Sequence, residues 1–214
     1  LADGFDPIMD LENSHGSWII DSLSGEKYLD MFSMFASASV GYNHPKIISN
    51  VDLLGKVSIS KPTLSDVYNV HYADFVNTFN EIAIPTYLKH AFFIEGGSLA
   101  VENALKIAFD WKVRKNIEKG KNKNKGTQII HFKQAFHGRS GYTLSLTNTS
   151  DPRKTMYFPK FNWPRIDAPY LSFPITEDVI NEVKQKEDDS INQIYNAIKD
   201  NPDDIAALII EPIQ

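Results

Sequence analysis

The stretch Phe92–Lys106 reads Phe-Phe-Ile-Glu-Gly-Gly-Ser-Leu-Ala-Val-Glu-Asn-Ala-Leu-Lys. Its apolar start indicates a β-strand, the paired glycines with Ser98 a tight turn, and the remainder a helix. A turn of this kind leaves backbone N–H groups unpaired at the positive end of the helix dipole. Glycine lets the backbone approach a ligand closely, and Ser98 can add a hydroxyl. The stretch is therefore a candidate cradle for a phosphate or another anion.

The segments around this turn alternate between strand-like and helix-like patterns. The predicted strands cover residues 90–94, 127–132 and 205–210, and the predicted helices cover residues 98–118 and 176–199. Such alternation is typical of an α/β fold with a mostly parallel sheet and helices on its faces. Ligand sites in such sheets lie beyond the carboxyl ends of the strands.

Three of the predicted strands lead into loops whose side chains suit one ligand. An aromatic ring offers a flat face for stacking, and an arginine fork matches a carboxylate. With the anion cradle, these groups would bind a phosphate, a flat ring and a carboxylate-bearing substrate. The candidates are Gly97 and Ser98 in the first loop, Phe136, His137 and Arg139 in the second, and Glu211 in the third.

Residue chemistry alone leaves the identity of this ligand open. Pyridoxal phosphate with an amino acid fits, and so does a nucleotide. The sequence has no Gly-x-x-x-x-Gly-Lys-[Ser/Thr], however, and no Gly-x-Gly-x-x-Gly after a strand. A core side chain at Phe136 and a surface ion pair at Arg139 are the commoner roles for such residues. These patterns define an α/β enzyme with an anionic ligand.

A small β-element is predicted ahead of the main domain. Gly16–Asp21 and Lys27–Met31 are typical of two short strands, and Ser22–Gly25 is typical of the turn between them. Pro45 indicates the start of a helix. We interpret His44 as a capping or packing residue of that helix rather than as a ligand.

A longer helix and a long loop are predicted further along. Apolar residues at three- and four-residue spacing predict a helix over Asp66–Ile82, with Ser65 as its N-cap. Residues 150–170 contain four prolines and no helical period. An ordered loop of this length usually carries function or an interface.

Composition limits the classes of protein to consider. The net charge of −5 and the pI of about 5.7 argue against nucleic-acid binding, and we interpret the basic segment Lys121–Lys125 as a solvated loop. No window is apolar over the length that spans a bilayer, so we expect no membrane partner. The absence of cysteine excludes disulfides and thiolate zinc sites, and no other metal site is expected. A cytoplasmic enzyme acting on small molecules fits these properties.

The sequence also resembles the class III (ω-amino-acid) aminotransferases. Phe92–Lys106 is similar to the turn that binds the cofactor phosphate in that family, and Phe136–Arg139 is similar to its aromatic-x-Gly-Arg loop. Glu211–Gln214 resembles the start of the family's Glu-Pro-Ile-Gln-Gly-Glu motif. Tyr28–Met31 and Gly41–Pro45 resemble its N-terminal landmarks. The resemblance covers essentially the whole chain, in the right order.

Finer details resemble the branch of the family that acts on L-lysine. The phosphate turn has Leu99 where the family commonly has Glu, and the segments Lys61–Tyr68 and Phe158–Asp167 are similar to this branch. The resemblance implies a fold type I transferase that depends on pyridoxal phosphate. Residues 1–58 would form an N-terminal segment with part of a small domain, and residues 59–214 the first half of the large cofactor-binding domain.

The resemblance implies a cofactor-binding role for five residues. Gly97 and Ser98 would hold the phosphate of pyridoxal 5'-phosphate through N–H groups, with the Ser98 hydroxyl adding a bond. Phe136 would stack on the pyridine ring, and His137 would lie beside it. Glu211 would belong to the shell around the ring.

The resemblance also implies the substrates and the reaction. Arg139 would bind the α-carboxylate of L-lysine, and Phe35 would line the pocket of the neighbouring subunit in a homodimer. The ε-amino group would pass to 2-oxoglutarate, giving 2-aminoadipate 6-semialdehyde and glutamate. The family's Schiff-base lysine is expected beyond Gln214, so we interpret the chain as a catalytically incomplete N-terminal fragment. A related enzyme acting on ornithine, 4-aminobutyrate or a diamine, and a non-catalytic partner chain, are the alternatives.

Overall fold

The chain forms two compact units, Leu1–Lys89 and His90–Gln214. The predicted boundary between residues 58 and 59 refers to the domains of the resembled family and stays a prediction. Among the described residues, no helix is both long and apolar enough to cross a membrane. The computed structural model describes residues 4–59, 66–149 and 151–213.

The first unit contains the predicted hairpin. Strands β1 (Trp18–Ile20) and β2 (Lys27–Leu29) pair in antiparallel fashion. Asp21 closes the turn between them, because its carboxylate accepts hydrogen bonds from the Ser24 hydroxyl (2.5 Å) and from the Ile8 N–H (2.8 Å). The bond from Ser24 contributes most to lowering the pKa of Asp21 to about 2. A polar side chain thus fixes the small β-element at its turn.

The helices of the first unit follow the hairpin. His44 lies immediately before the second of them, and its side chain accepts a hydrogen bond from the Lys46 N–H at 3.2 Å. This contact confirms the interpretation of His44 as a cap. The helices are α1 (Ser33–Ala36), α2 (Pro45–Ile48), α3 (Val51–Ile59) and α4 (Val70–Ile82).

The helix predicted over Asp66–Ile82 starts later than expected. It begins at Val70, because the Asn69 side chain accepts a hydrogen bond from the Tyr72 N–H at 2.9 Å and caps the helix there. The predicted cap, Ser65, lies outside the described residues. The periodicity of the apolar residues predicted a longer helix, whereas the cap by the Asn69 side chain sets its actual start.

The second unit is built on a three-stranded parallel sheet with the order β4–β3–β5. Strand β3 (Gln128–Phe132) is central, between β4 (Arg165–Ile166) and β5 (Ile205–Leu208). The strand predicted over residues 127–132 is confirmed. The one predicted over residues 205–210 ends earlier, at Leu208, and β4 lies within the predicted long loop.

Helices cover both faces of this sheet. Ile129 packs with Leu105 of the first long helix, whereas Ile130 packs with Ile194 of the last helix. Successive residues of a strand point to opposite faces, so these contacts place one helix on each side. The arrangement confirms the predicted α/β fold. The helices are α5 (Gly97–Glu118), α6 (Thr143–Leu146) and α7 (Glu177–Asp200).

One predicted strand is absent. Residues 90–94 pair with no strand in the described part of the chain, and Phe92 and Ile94 are exposed by 66% and 40%. A strand needs a neighbouring backbone for its N–H and C=O groups, and apolar composition does not supply one. The segment leads into α5 without regular secondary structure.

Asp204 ties together the amino ends of β3 and β5. Its carboxylate accepts hydrogen bonds from the N–H groups of Gly126 (2.8 Å) and Thr127 (3.1 Å), and it pairs with Lys125 Nζ at 3.1 Å. Burial would raise the pKa of Asp204, but these bonds outweigh it and lower the pKa to about 2. The end of the sheet opposite the candidate loops is therefore fixed by a buried carboxylate.

His131 is a buried residue of the central strand. Its Nε2 accepts a hydrogen bond from Arg165 Nε at 2.9 Å, and its Nδ1 faces the Ile129 carbonyl oxygen at 3.3 Å. Burial is the main reason that the pKa of His131 falls to about 4, and the positive charge of Arg165 adds to the effect. The imidazole is therefore neutral near neutral pH.

Candidate active site

The anion turn lies where helix α5 begins, at Gly97. Gly96 precedes it with φ of 87°, a conformation that favours glycine. The first backbone bond of the helix runs from the Ala100 N–H to the Gly96 carbonyl at 3.1 Å. The N–H groups of Gly97, Ser98 and Leu99 precede that bond, so they are the donors available to an anion.

The side chain of Ser98 faces the loop that follows β3. Its hydroxyl lies 2.6 Å from the Ser140 hydroxyl and 3.0 Å from the Thr143 hydroxyl. Gly138 packs against Ser98 with no room for a side chain, because a β-carbon at that position would stand 2.7 Å from the Ser98 β-carbon. The structure thus brings the first two predicted loops into direct contact.

Glu102 joins the same two loops from one helical turn further along α5. It is 7% exposed, and its Oε1 accepts hydrogen bonds from the Ser140 hydroxyl (2.7 Å) and from the N–H groups of Tyr142 (2.7 Å) and Thr143 (3.1 Å). The sequence prediction missed this residue. The available signal was the four-residue spacing from Ser98, which puts both side chains on one helix face.

Glu211 brings the third loop to the second. Its Oε2 accepts a hydrogen bond from the Phe136 N–H at 2.9 Å, and just before it the Ile209 N–H donates to the Ile130 carbonyl at 3.0 Å. The Phe136 side chain is 51% exposed. Phe136 is therefore not a core residue, and its ring is partly accessible to solvent.

His137 carries a buried nitrogen without a hydrogen-bond partner among the described residues. The residue is 8% exposed, and its Nε2 is that nitrogen. Its backbone is held by the Thr147 hydroxyl, which accepts from the His137 N–H at 3.0 Å and donates to the Gly138 carbonyl at 2.6 Å. Burial lowers the pKa of His137, and Glu211 offsets only part of this effect. A buried polar atom of this kind is normally satisfied by a ligand or a water molecule.

Arg139 is exposed next to a cavity. Within residues 4–59, 66–149 and 151–213, none of the ion pairs involves Arg139, so the surface ion-pair role is not found there. The cavity measures about 430 Å³, which is large enough for a small carboxylic acid. Its lining consists of Arg139, Ser140, Gly141, Leu144, Lys154, Phe158 and Pro159.

Phe35 belongs to the first unit and lies on α1, a left-handed turn. The φ angles of Ser33, Met34, Phe35 and Ala36 are 51°, 47°, 56° and 62°. Left-handed conformations cost roughly 1 to 2 kcal/mol for each residue other than glycine. The Phe35 side chain is 88% exposed. Its predicted role in a neighbouring subunit stays a prediction.

The described residues contain no group of three His, Asp or Glu side chains arranged to hold a metal ion. The site instead offers N–H donors for an anion, an exposed aromatic ring, a buried imidazole nitrogen and a guanidinium, and in the described part of the chain the imidazole nitrogen has no hydrogen-bond partner and the guanidinium no ion pair. These groups match a ligand with a phosphate and a flat ring beside a carboxylate-bearing substrate. Residues 2–214 match the aminotransferase class-III family, and the chain belongs to that family.

Several relatives with high sequence identity to the chain are named L-lysine-epsilon aminotransferase. It is 47% identical over 217 residues to the L-lysine-epsilon aminotransferase of Mycobacterium tuberculosis and 42% identical to that of Streptomyces clavuligerus. Each alignment covers 100% of this chain and 47% of the relative. The chain thus spans about half the length of these relatives.

Solved structures agree with the fold. The lysine aminotransferase from M. tuberculosis in the internal aldimine form has a TM-score of 0.90 at 46% identity, covering 100% of this chain and 49% of that one. A transaminase from the marine bacterium Virgibacillus has a TM-score of 0.73 at 22% identity, which supports the fold alone. The predicted fold type I architecture is confirmed.

Proposed function

We propose that the protein carrying this chain transfers the ε-amino group of L-lysine to 2-oxoglutarate, as an L-lysine 6-aminotransferase. The products would be 2-aminoadipate 6-semialdehyde and glutamate. The proposal rests chiefly on the convergence of the anion turn, Phe136 and Arg139 in a chain that is 47% identical to L-lysine-epsilon aminotransferases. The family uses pyridoxal 5'-phosphate. A homodimer in the cytoplasm, with Phe35 contributed to the neighbouring site, belongs to the same proposal.

The residues of the site fit this cofactor. The N–H groups at Gly97 and Ser98 would hold its phosphate, and Phe136 would present a ring face to the pyridine. The backbone of Phe136 is fixed by Glu211, so the ring has a stable base. The unpaired Nε2 of His137 would gain a partner from the bound molecule or its water. When bound, the cofactor supplies the electron sink for moving an amino group.

Arg139 would select the substrate end that does not react. A guanidinium forms paired hydrogen bonds with a carboxylate, so it would fix the α-carboxylate of L-lysine. The ε-amine, at the far end of the side chain, would then point away from Arg139 toward the cofactor. The same fork would receive a carboxylate of 2-oxoglutarate in the second half of the reaction. A diamine offers no such group, which favours an amino acid as the donor.

The complete protein tests the proposal directly. We expect glutamate formation from 2-oxoglutarate with the highest kcat/KM for L-lysine among L-lysine, L-ornithine, 4-aminobutyrate and 1,5-diaminopentane. A higher kcat/KM for any other donor would overturn the assignment of lysine. Binding of pyridoxal phosphate without amino transfer from any of the four would overturn the assignment as a transaminase.

A further inference from the structure

We infer that Glu102 is a positioning residue, which orients the hydroxyls of Ser140 and Ser98 and holds the anion turn against the loop that carries Arg139. The expected effect of Glu102 on cofactor and substrate binding rests on the proposed function. The hydrogen-bond network itself is a property of the fold and can be tested separately.

The environment of Glu102 explains why the residue acts on this loop. A buried carboxylate is costly unless hydrogen bonds or a counter-charge compensate it. None of the ion pairs in the described part of the chain involves Glu102. All three donors to its Oε1 come from residues 140–143, immediately after Arg139. The hydrogen bonds that offset the burial of Glu102 therefore form only when residues 140–143 are held in this arrangement.

The carboxylate also sets the direction of the hydroxyl network. A carboxylate only accepts, so the single hydroxyl hydrogen of Ser140 is donated to Glu102. The contact of 2.6 Å between the Ser140 and Ser98 hydroxyls must then use the hydrogen of Ser98. The Ser98 hydroxyl is thereby committed to Ser140.

This direction of donation changes the expected role of Ser98. The family resemblance implies that its hydroxyl adds a bond to the phosphate, but the hydrogen needed for that bond is used within the network. An anion at the turn would then be held by backbone N–H groups. The contribution of the Ser98 side chain is to fix those N–H groups relative to Arg139, through Ser140 and Glu102.

Asn116 provides a matched control on the same helix. It is 2% exposed, and its side chain donates to the carbonyls of Lys125 and Asp203, both at 2.9 Å. It lies near the opposite end of α5 from Ser98. Glu102→Ala and Asn116→Ala each remove buried hydrogen bonds from α5, but only the first affects the site.

The first experiment uses the complete protein and measures the Kd of pyridoxal phosphate by dialysis, then KM at saturating cofactor. We expect Glu102→Ala to raise the Kd by about 10-fold and the KM for L-lysine by about 10-fold, with a smaller rise for 1,5-diaminopentane. Glu102→Gln keeps the acceptor oxygen and should restore both values to within about threefold. Asn116→Ala should lower the melting temperature and leave both values unchanged.

Equal effects of Glu102→Ala and Asn116→Ala on the Kd and KM would overturn the inference. Ser140→Ala severs the same network at a half-buried position, and it provides the test if Glu102→Ala does not fold. It should reproduce the rise in Kd. A wild-type protein that binds no pyridoxal phosphate would count against the proposed function instead.

The second experiment tests the network without the cofactor. In a double-mutant cycle of Ser98→Ala and Glu102→Ala, the unfolding equilibrium constant should show a coupling of about fivefold. The pair Ser98→Ala and Asn116→Ala should be additive. Additivity in both pairs would overturn the inference whether or not the protein is a transaminase.

Discussion

Gly138 lies against Ser98 so closely that a β-carbon at position 138 would stand 2.7 Å from the Ser98 β-carbon and 2.9 Å from the Thr143 hydroxyl oxygen. Gly138 also has φ of 113°, a conformation that side chains disfavour. The loop after β3 can therefore reach the anion turn only because this position has no side chain. The contact fixes the spacing between the turn at the start of α5 and the loop that carries Arg139.

Gly138→Ala should disrupt both stability and ligand binding. The added methyl group would clash with the β-carbon of Ser98, so we expect the free energy of unfolding to fall by roughly 3 kcal/mol or more. The affinity for pyridoxal phosphate should fall with it. Urea unfolding and dialysis of the complete protein measure the two effects.

Gly120→Ala is the matched control for that substitution. Gly120 also has a positive φ, of 65°, but nothing lies within 4 Å of its missing β-carbon. The free energy of unfolding of this variant should therefore fall only by the cost of a left-handed alanine, about 1 kcal/mol. Equal losses in the two variants would contradict the tight contact at Gly138.

Arg139→Ala should separate donors by whether they carry a carboxylate. We expect the KM for L-lysine to rise by roughly 100-fold, because a paired, charge-assisted contact is lost, while the KM for 1,5-diaminopentane changes little. Steady-state kinetics with both donors measure the difference. Arg114→Ala removes an exposed arginine that pairs with Asp110, and it should change neither KM. Equal rises for both donors would remove the proposed role of Arg139.

His131 should make stability depend on pH. Its pKa is lowered to about 4 in the folded protein, so the folded state resists protonation more than the unfolded state does. The contribution of the neutral His131 to stability is fully present above pH 6.5, the pKa of histidine in the unfolded chain. As the pH falls from 6.5 toward 4, the free energy of unfolding should decrease by about 2 to 3 kcal/mol. Urea unfolding at several pH values measures this loss.

His131→Gln isolates that effect. A glutamine oxygen can still accept from Arg165, but it does not titrate. The variant should lose stability less steeply than the wild type between about pH 6.5 and pH 4. Burial lowers the pKa of His137 as well, so some dependence of stability on pH should remain in the variant. Identical slopes in the two proteins would contradict a buried neutral His131.

Asp204→Asn should weaken the amino end of the sheet. The substitution keeps one acceptor oxygen but places an NH₂ group against Lys125 and Gln128, which are both donors. We expect a loss of about 2 to 3 kcal/mol in the free energy of unfolding. The neighbouring Asp203→Asn breaks an exposed pair with Lys121 and should cost less than about 1 kcal/mol. Similar losses would show that Asp204 is not the fixing residue.

Local patterns were sufficient to predict the central part of the second unit. Strand β3 and helix α5 appear where the strand-like pattern of residues 127–132 and the helix-like pattern of residues 98–118 predicted them. The placement of Phe136 and Glu211 at one sheet edge followed from the topology of parallel sheets, and their hydrogen bond confirms that they meet. Their binding roles stay proposals.

The remaining features depend on partners that are distant in sequence. The apolar segment 90–94 has the composition of a strand but no backbone to pair with among the described residues. A glutamate on a helix is expected to be exposed, and Glu102 is buried only because residues 140–143 pack against it and donate hydrogen bonds to it. The late start of α4 is the exception, because the competing cap, Asn69, was visible in the sequence.

The contact between Ser98 and Ser140 joins residues 42 positions apart, and the bond between Phe136 and Glu211 joins residues 75 positions apart. Neither contact can form within a locally ordered segment, so the candidate anion site is assembled only when distant parts of the second unit have folded together. A ligand that binds there binds the native state alone, and it stabilises that state by RT ln(1 + [L]/Kd). The supply of the cofactor would thus affect the resistance of the protein to proteolysis as well as its catalytic rate.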